Sequence, residues 1–388
     1  MRPGHDAPRL VLLDLDGWES FAAWAPAVRR RGMRVARVST ARRGLRRLAW
    51  AVLDPLLYGP SAGRVSDQVV PRGLVQELLA EPTVDIVAGE ETMADLREDP
   101  GLPVGGPLGR VPDLERQSLL YDKLALTEFA RGLGVGVPGT WSTPPADVLP
   151  LLVKARLGAG GRDVRLVTEG SELAAAVADL DPGGEGRLLF QEMFTGAVLN
   201  ASGVARDGRI LVSALCRVRP RDEDPFGPHR GAMEVVDDPQ VGRDLATLVA
   251  ALEYTGPFCV DFVRSADGRL GLIDFNPRVF GGWLPLERAG VGILDAYLSI
   301  FGLAPEPTPR VLAPGTLLWD RLGPRPDVAD WEQWAVEARY SVDVIRSTAA
   351  ITGPVYAGLA VARATRTLLT QGIALARRPG RSDVRRSG

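Results

Sequence analysis

Lysine is almost missing from this chain: of 46 Lys+Arg residues only Lys123 and Lys154 are lysine, and the other 44 are arginine. Asparagine is as scarce, with Asn200 and Asn276 alone. Two cysteines, Cys216 and Cys259, exclude a disulfide framework and a four-cysteine metal site. A reducing cytosol is then the simplest compartment, so the expectation is a cytoplasmic protein. A net charge of −2 excludes a global drive toward nucleic acid. Long apolar runs are missing too. The first, RLVLLDL, is broken by Asp14 and leads to Asp16, so no signal-peptide core is expected. The uncharged stretch between Arg346 and Arg363 is sixteen residues and contains Gly353-Pro354. That falls short of the roughly 20 residues of a spanning helix, which favours a docked helix pair.

What is present is ordinary globular material, 45% apolar and 24% charged, long enough at 388 residues for two or three domains. Residues 9–15 read as a buried strand, followed by a helix from about Trp18 to Arg31, a strand at RVARVS and another short apolar run in PTVDIVAGEE. Such alternation predicts an α/β unit with a parallel sheet over 1–112. No G-x-G-x-x-G turn follows its first strand, so it is not read as a dinucleotide site. Residues 43–58, arginines beside Leu, Trp and Val, are expected to be a helix packed on its own domain, a membrane-surface helix being the weaker alternative. From Asp113 onward come a helix over 115–134, a strand LPLLVKA, a glycine-rich loop, a helix near SELAAAVADL, a strand LLFQEMF and further strands to IDFNPR. The remainder, 304–388, is Pro-rich and then helical, and its tail from Arg363 holds seven arginines against one aspartate.

FCVDFVRSADGRLGLIDFNPR predicts its own geometry. Two apolar runs flank Asp267-Gly268, a signal for a two-residue hairpin turn with φ > 0 at both positions. In that register Asp261 lies across from Asp274, and Asn276 shares their face. Opposed acids repel unless something neutralises them. Two carboxylates and an amide oxygen offer hard donors to a divalent cation, and Mg²⁺ suits a site with few protein ligands. The bland alternative is a solvated sheet face.

The rare lysines add to this. A compact ammonium does work that a wide, planar guanidinium cannot. Lys154 ends a strand just before a loop in which Gly158, Gly160 and Gly161 let backbone N–H groups turn toward phosphate oxygens. No G-K-[ST] follows, so this is not a Walker loop. Lys123 lies on the preceding helix or its edge. Glu192-Met193-Phe194 offer a strand end with apolar walls for a nucleotide base. Arg217, Arg219, Arg221 and His229 form a basic run suited to an anionic substrate group, or else a solvated loop.

The order YDK, LLVKARLGAGGRDV, LLFQEMFTG, VDFV and IDFNPR, with 13- and 15-residue steps from Asp261 to Asp274 and Asn276, resembles the ATP-grasp superfamily over about residues 114–303. The likeness is greatest to its carboxylate–amine ligase-like members. It implies an α/β and α+β protein: a Rossmann-like pre-ATP-grasp domain (1–112), a small subdomain with the glycine loop (113–187), a large subdomain with the metal site (188–303) and a helical extension with a basic tail (304–388). It implies that Lys123 and Lys154 bind ATP phosphates under a mobile loop over 158–161. Gln191, Glu192 and Phe194 would surround the adenine, Asp261, Asp274 and Asn276 would hold Mg²⁺, and Arg278 would steady the transferred phosphoryl group or the substrate carboxylate. Lys154 and Arg278 are thus the expected catalytic residues. The implied partners are a small carboxylate and an amine, with a homodimer by analogy. A carboxylase-type enzyme using carboxyphosphate and a non-catalytic nucleotide-binding scaffold are the alternatives. The sequence departs from many relatives in two places. Ala197 and Val198 follow Gly196 where an acidic ribose contact is common, and Asp274 stands where glutamate is common.

Overall fold

In RLVLLD every residue is buried, as a strand covered on both faces requires. The computed structural model describes residues 7–15, 19–40, 61–65, 72–89, 92–93, 96, 119–158, 161–218, 232–319 and 344–359, with 361, 362, 365, 366 and 369. Strands β1 (Arg9–Asp14), β2 (Arg34–Thr40), β3 (Ser61–Val65) and β4 (Asp85–Ala88) form a parallel sheet in the order β3-β2-β1-β4. Helices α1 (Glu19–Arg30) and α2 (Arg72–Leu79) accompany it. This is the expected Rossmann-like α/β unit. The helix expected over 43–58 lies outside the described residues.

Next comes helix α3 (Lys123–Gly132), which begins later than the periodicity suggested. Asp122 is its N-cap, accepting from the backbone N–H groups of Leu124 and Ala125, and this places Lys123 at the first helical position. A four-stranded antiparallel sheet follows, in the order β5 (Thr140–Trp141), β8 (Leu188–Glu192), β6 (Leu151–Ala155) and β7 (Val164–Val167), with helix α4 (Leu173–Leu180) on one face. The larger sheet has six strands ordered β13-β12-β9-β10-β11-β14. These are β9 (Gly196–Arg206), β10 (Arg209–Val218), β11 (Ala232–Val235), β12 (Gly256–Ser265), β13 (Leu270–Asn276) and β14 (Leu317–Trp319). The Pro-rich segment therefore contributes an edge strand, which its composition did not announce.

The larger sheet has two different faces. One carries Leu199, Val260, Phe262 and Phe275 and packs on α3 and on α5 (Pro239–Ala251). The other packs on α6 (Trp283–Arg288) and α7 (Ile293–Ile300), and in the same core are Leu10, Leu12 and Trp24 of the N-terminal unit. Trp24 meets Trp283 and Tyr297 edge-on, each at 4.9 Å between centroids. The Tyr297 hydroxyl donates to Asp85 at 2.7 Å, so the aromatic joint also has a polar fastening. Residues 344–352 and 354–359 are helical, and Tyr356 lies in this same core, in keeping with a docked pair. Among the described residues no helix is long and apolar enough to cross a membrane.

The β12–β13 hairpin corrects one expectation. Its turn is not the two-residue kind. Ser265 and Arg269 close a three-residue loop of Ala266, Asp267 and Gly268, in which Gly268 alone has positive φ, +87°. That loop shifts the register by one, pairing Val263 with Gly271 and Phe262 with Leu272. A β-bulge at Ile273 then shifts it back, so that Asp261 pairs with Asp274 and Cys259 with Asn276. The expected opposition of the acids is present because two departures cancel.

Candidate active site

Asp274, Asp261 and Asn200 form a row across β13, β12 and β9, each the direct partner of the next. Asn200 Nδ2 donates to Asp261 Oδ1 at 2.7 Å and to Cys259 Sγ at 2.8 Å. Asn200 Oδ1 accepts from the Ser202 hydroxyl, which fixes the amide orientation. Next to this row Asn276 Nδ2 donates to Asp274 Oδ2 at 3.2 Å, and Arg278 Nη2 donates to Asn276 Oδ1 at 2.9 Å. Arg278 is buried and also donates to the Val279 carbonyl at 3.3 Å.

The lysines come from the smaller sheet and from α3. Lys123 Nζ stands 4.0 Å from Asp274 Oδ1 and donates to the Gly158 carbonyl at 2.5 Å. Its position is held by the backbone, since Lys123 N donates to the Arg156 carbonyl at 3.1 Å while the Arg156 guanidinium pairs with Asp122. Lys154, buried near the end of β6, donates to Gln191 Oε1 at 2.6 Å. Gln191 Nε2 in turn donates to Thr140 Oγ1 at 3.1 Å, and that hydroxyl donates to the Pro138 carbonyl at 3.0 Å. Burial pushes the Lys154 ammonium down to about 8; Asp274 pulls it up and Lys123 pushes it down. Both lysines are thus electrostatically coupled to the acid row.

Gly158 adopts φ +150°, and a Cβ there would lie 2.6 Å from Asp163 Oδ2, so the loop between β6 and β7 needs glycine at this point. Gly161 also has positive φ, +73°, while Gly160 lies outside the described residues. Among the base-binding candidates, Glu192 pairs with Arg269 at 2.8 Å and accepts from Gly139 N–H at 3.2 Å. Arg269 stacks over the buried Phe194 ring at 4.5 Å. Met193 N donates to the Pro150 carbonyl at 3.3 Å.

The structure brings together Lys123, Lys154, Gln191, Asp261, Asp274, Asn276 and Arg278. It does not bring Arg217 to them. Arg217 follows Cys216, the partner of Asn200, so it leaves β10 on the opposite face, where it pairs with Glu234 at 3.6 Å. Arg219, Arg221 and His229 lie outside the described residues. Burial pushes both thiols up to about 12, with Asp261 adding to the effect at Cys259, so neither cysteine is a thiolate at neutral pH.

Asn200 was missed by the sequence reading, although the signal was there. It is one of two asparagines in the chain, and both stand beside the acids. Asn200→Leu removes the donor that orients Asp261. We expect metal-supported turnover to fall about 10- to 100-fold, with most of the loss recovered at high Mg²⁺. Metal titration of activity measures this, and an unchanged metal requirement would count against the role.

Among the described residues no three or more His, Cys, Asp or Glu side chains cluster to hold a metal. Two opposed aspartates with an asparagine oxygen nonetheless fit magnesium, which prefers hard oxygen donors and leaves positions for phosphate oxygens.

Residues 120–282 match the ATP-grasp domain family, so the chain carries an ATP-grasp domain. Solved structures agree. An L-amino acid ligase from Bacillus licheniformis superposes with a TM-score of 0.56 at 16% identity, covering 75% of this chain and 73% of that one. An N5-carboxyaminoimidazole synthetase from Staphylococcus aureus, solved with ADP, gives 0.59 at 13% identity, with 82% of each chain covered. A biotin carboxylase from Campylobacter jejuni in complex with β,γ-ATP gives 0.57 at 15%, covering 77% of this chain and 72% of that one. At such identities the likeness establishes the fold. No curated protein matches the chain by sequence.

A pH effect follows from Lys154. Without ligand its ammonium is half neutral near pH 8, and a bound triphosphate would favour the charged form and raise that midpoint. ATP binding should therefore take up a proton above pH 8, take up almost none below pH 7, and weaken as pH rises past 8. Calorimetry at pH 8.5 in two buffers of different ionisation enthalpy measures this. Equal apparent enthalpies would contradict it.

Proposed function

We propose that the chain is an ATP-dependent, ADP-forming ligase that activates a carboxylate as an acyl phosphate and transfers the acyl group to an amine, an amino acid or peptide. The observation that carries this reading is the meeting of Lys123 and Lys154 with the Asp261–Asp274 pair. Lys123 stands 4.0 Å from Asp274 and the buried Lys154 is electrostatically coupled to the same acid, which is the charge pattern a metal-bound triphosphate needs. Lys123 and Lys154 neutralise phosphate oxygens, and the glycine loop after β6, in which Gly158 and Gly161 have positive φ, covers them. Residues 191–194 take the adenine. Asp261, Asp274 and Asn276 hold Mg²⁺, which when bound withdraws charge from the phosphates.

In this scheme a carboxylate oxygen of the substrate attacks the γ-phosphorus and ADP leaves. The amine then attacks the acyl carbon and inorganic phosphate leaves. The buried Arg278 guanidinium faces the charge that develops on the transferred group, and catalysis is largely neutralisation and in-line positioning. Loop closure excludes water, which would otherwise hydrolyse the acyl phosphate.

A coupled ADP-release screen with Mg²⁺, against panels of carboxylates and amines, tests the reading. ADP release that needs one acid and one amine together is the expected result. Release that needs bicarbonate in place of an organic acid would mean a carboxylase. ATP binding with no stimulated release across the panels would mean a non-catalytic nucleotide site.

A further inference from the structure

The N-terminal unit holds a buried carboxylate that the scheme above does not use. Asp14, the last residue of β1, is 4% exposed at its side chain and pairs with Arg37 on β2, equally buried. Arg37 donates to Asp14 Oδ2 from Nη2 and from Nε, the latter at 3.2 Å. Asp14 Oδ1 is buried and has no hydrogen-bond partner among the described residues. A carboxylate oxygen shut away from water without a donor is costly, and such atoms are uncommon unless something else supplies the donor.

Its place in the fold suggests what that donor is. With the order β3-β2-β1-β4, the chain runs outward from β1 through β2 to β3 and then returns to the other side of β1. The carboxyl ends of β1 and β4 therefore flank the point where the winding reverses, the place at which open parallel sheets bind ligands. Asp14 lies there, and its partner on β2 is the buried Ser39. Leu10 and Leu12, on the same side of β1 as Asp14, share a core with Val279 and Phe280, the residues directly after Arg278. The carboxylate thus belongs to the face of the N-terminal sheet that is turned toward the ATP-grasp domain.

We propose that Asp14 Oδ1, flanked by Arg37 and Ser39, is the recognition point for a primary ammonium group on a substrate. The inference rests on the ligase reading in taking that group to belong to the acid or the amine being joined. An ammonium brings several N–H donors on one small atom and can give a charge-assisted bond to the carboxylate oxygen that Arg37 does not engage. An acetylated nitrogen is bulkier and uncharged. It keeps one N–H, but the acetyl group has to be seated beside a buried acceptor and the charge-assisted bond is lost, so such an analogue is rejected strongly.

Saturation-transfer NMR on the full chain, with Mg²⁺ and a non-hydrolysable ATP analogue present, tests this with free amino acids and their N-acetyl forms as probes. Wild type should bind at least one free amino acid, and acetylation should weaken that binding by about a hundredfold or more. Asp14→Asn should weaken the same free amino acid at least about tenfold while ATP-analogue binding is unchanged. Overturning results are a free amino acid that binds Asp14→Asn as well as wild type, or a wild type that binds no ammonium compound. Should Asp14→Asn fail to fold, the wild-type comparison decides, and equal binding of free and acetylated forms overturns the site. The ADP-release screen separates the two proposals. Release with selectivity that ignores Asp14 sinks the ammonium site alone, and Asp14-dependent binding without release sinks the ligase reading alone.

Discussion

Asp274→Asn is expected to abolish turnover, by about 10³-fold or more, in a protein that stays folded and melts no lower than wild type. The substitution keeps size and shape while removing one of two negative charges at directly paired positions on β13 and β12. Loss of a residue that only supports a metal ligand typically lowers affinity or activity 10- to 100-fold, and loss of the ligand's own charge should exceed that. The stability term has the opposite sign. Asp261 and Asp274 repel across the strand pair, and relieving like charges at opposed positions is worth a few tenths to about 1 kcal/mol. Lys123, 4.0 Å from Asp274, already offsets part of that repulsion, so the gain should be at the low end. Inactivity together with unchanged or raised stability cannot come from a structural role. An active Asp274→Asn enzyme would remove the metal assignment.

Lys154→Met is expected to lower turnover about 10²- to 10³-fold, the usual effect of deleting one preorganised group that meets developing charge. Stability should change little. The variant leaves Gln191 Oε1 without its 2.6 Å donor, a loss of about 1–3 kcal/mol. It also removes a buried ammonium whose charge the fold resists, as its lowered pKa records. Lys154→Arg should not rescue activity. The slot beside Gln191 and Thr140 receives a single donor atom, and a planar guanidinium cannot enter in that way. Elsewhere this sequence uses arginine for nearly every cation, 44 positions against two. Steady-state kinetics of the Met and Arg variants, with melting curves, would check both statements. Activity in Lys154→Arg near wild type would contradict the positioning role of Gln191.

Much of the architecture could be read from the residues because burial imposes period and composition directly. RLVLLD and LLVKA can be little else than covered strands, and the two lysines drew attention by rarity alone. The acid pair was legible for an incomplete reason. Asp267-Gly268 announced a turn, but Ser265 and Asp267 hydrogen-bond to each other and to the backbone of Arg269, which stabilises a loop one residue longer. Nothing in LGLIDFN signals that Ile273 bulges to restore the register. The motif order points to Gln191 as a base contact but does not show that its side chain also accepts from Lys154, a pairing set by the register of β6 and β8. The start of α3 turned on a capping bond from Asp122, which hydrophobic periodicity does not encode. Strand β14 is three residues long and pairs with β11 far back in the chain, so only tertiary contact makes it a strand.

The most direct test is a crystal structure of the chain with Mg²⁺ and a non-hydrolysable ATP analogue. Asp261 and Asp274 oxygens should each lie about 2.1 Å from a magnesium ion, with the Lys123 and Lys154 ammonium groups on the phosphates. A triphosphate bound elsewhere, or one in this cleft with neither acid touching metal, would contradict the assignment of the site.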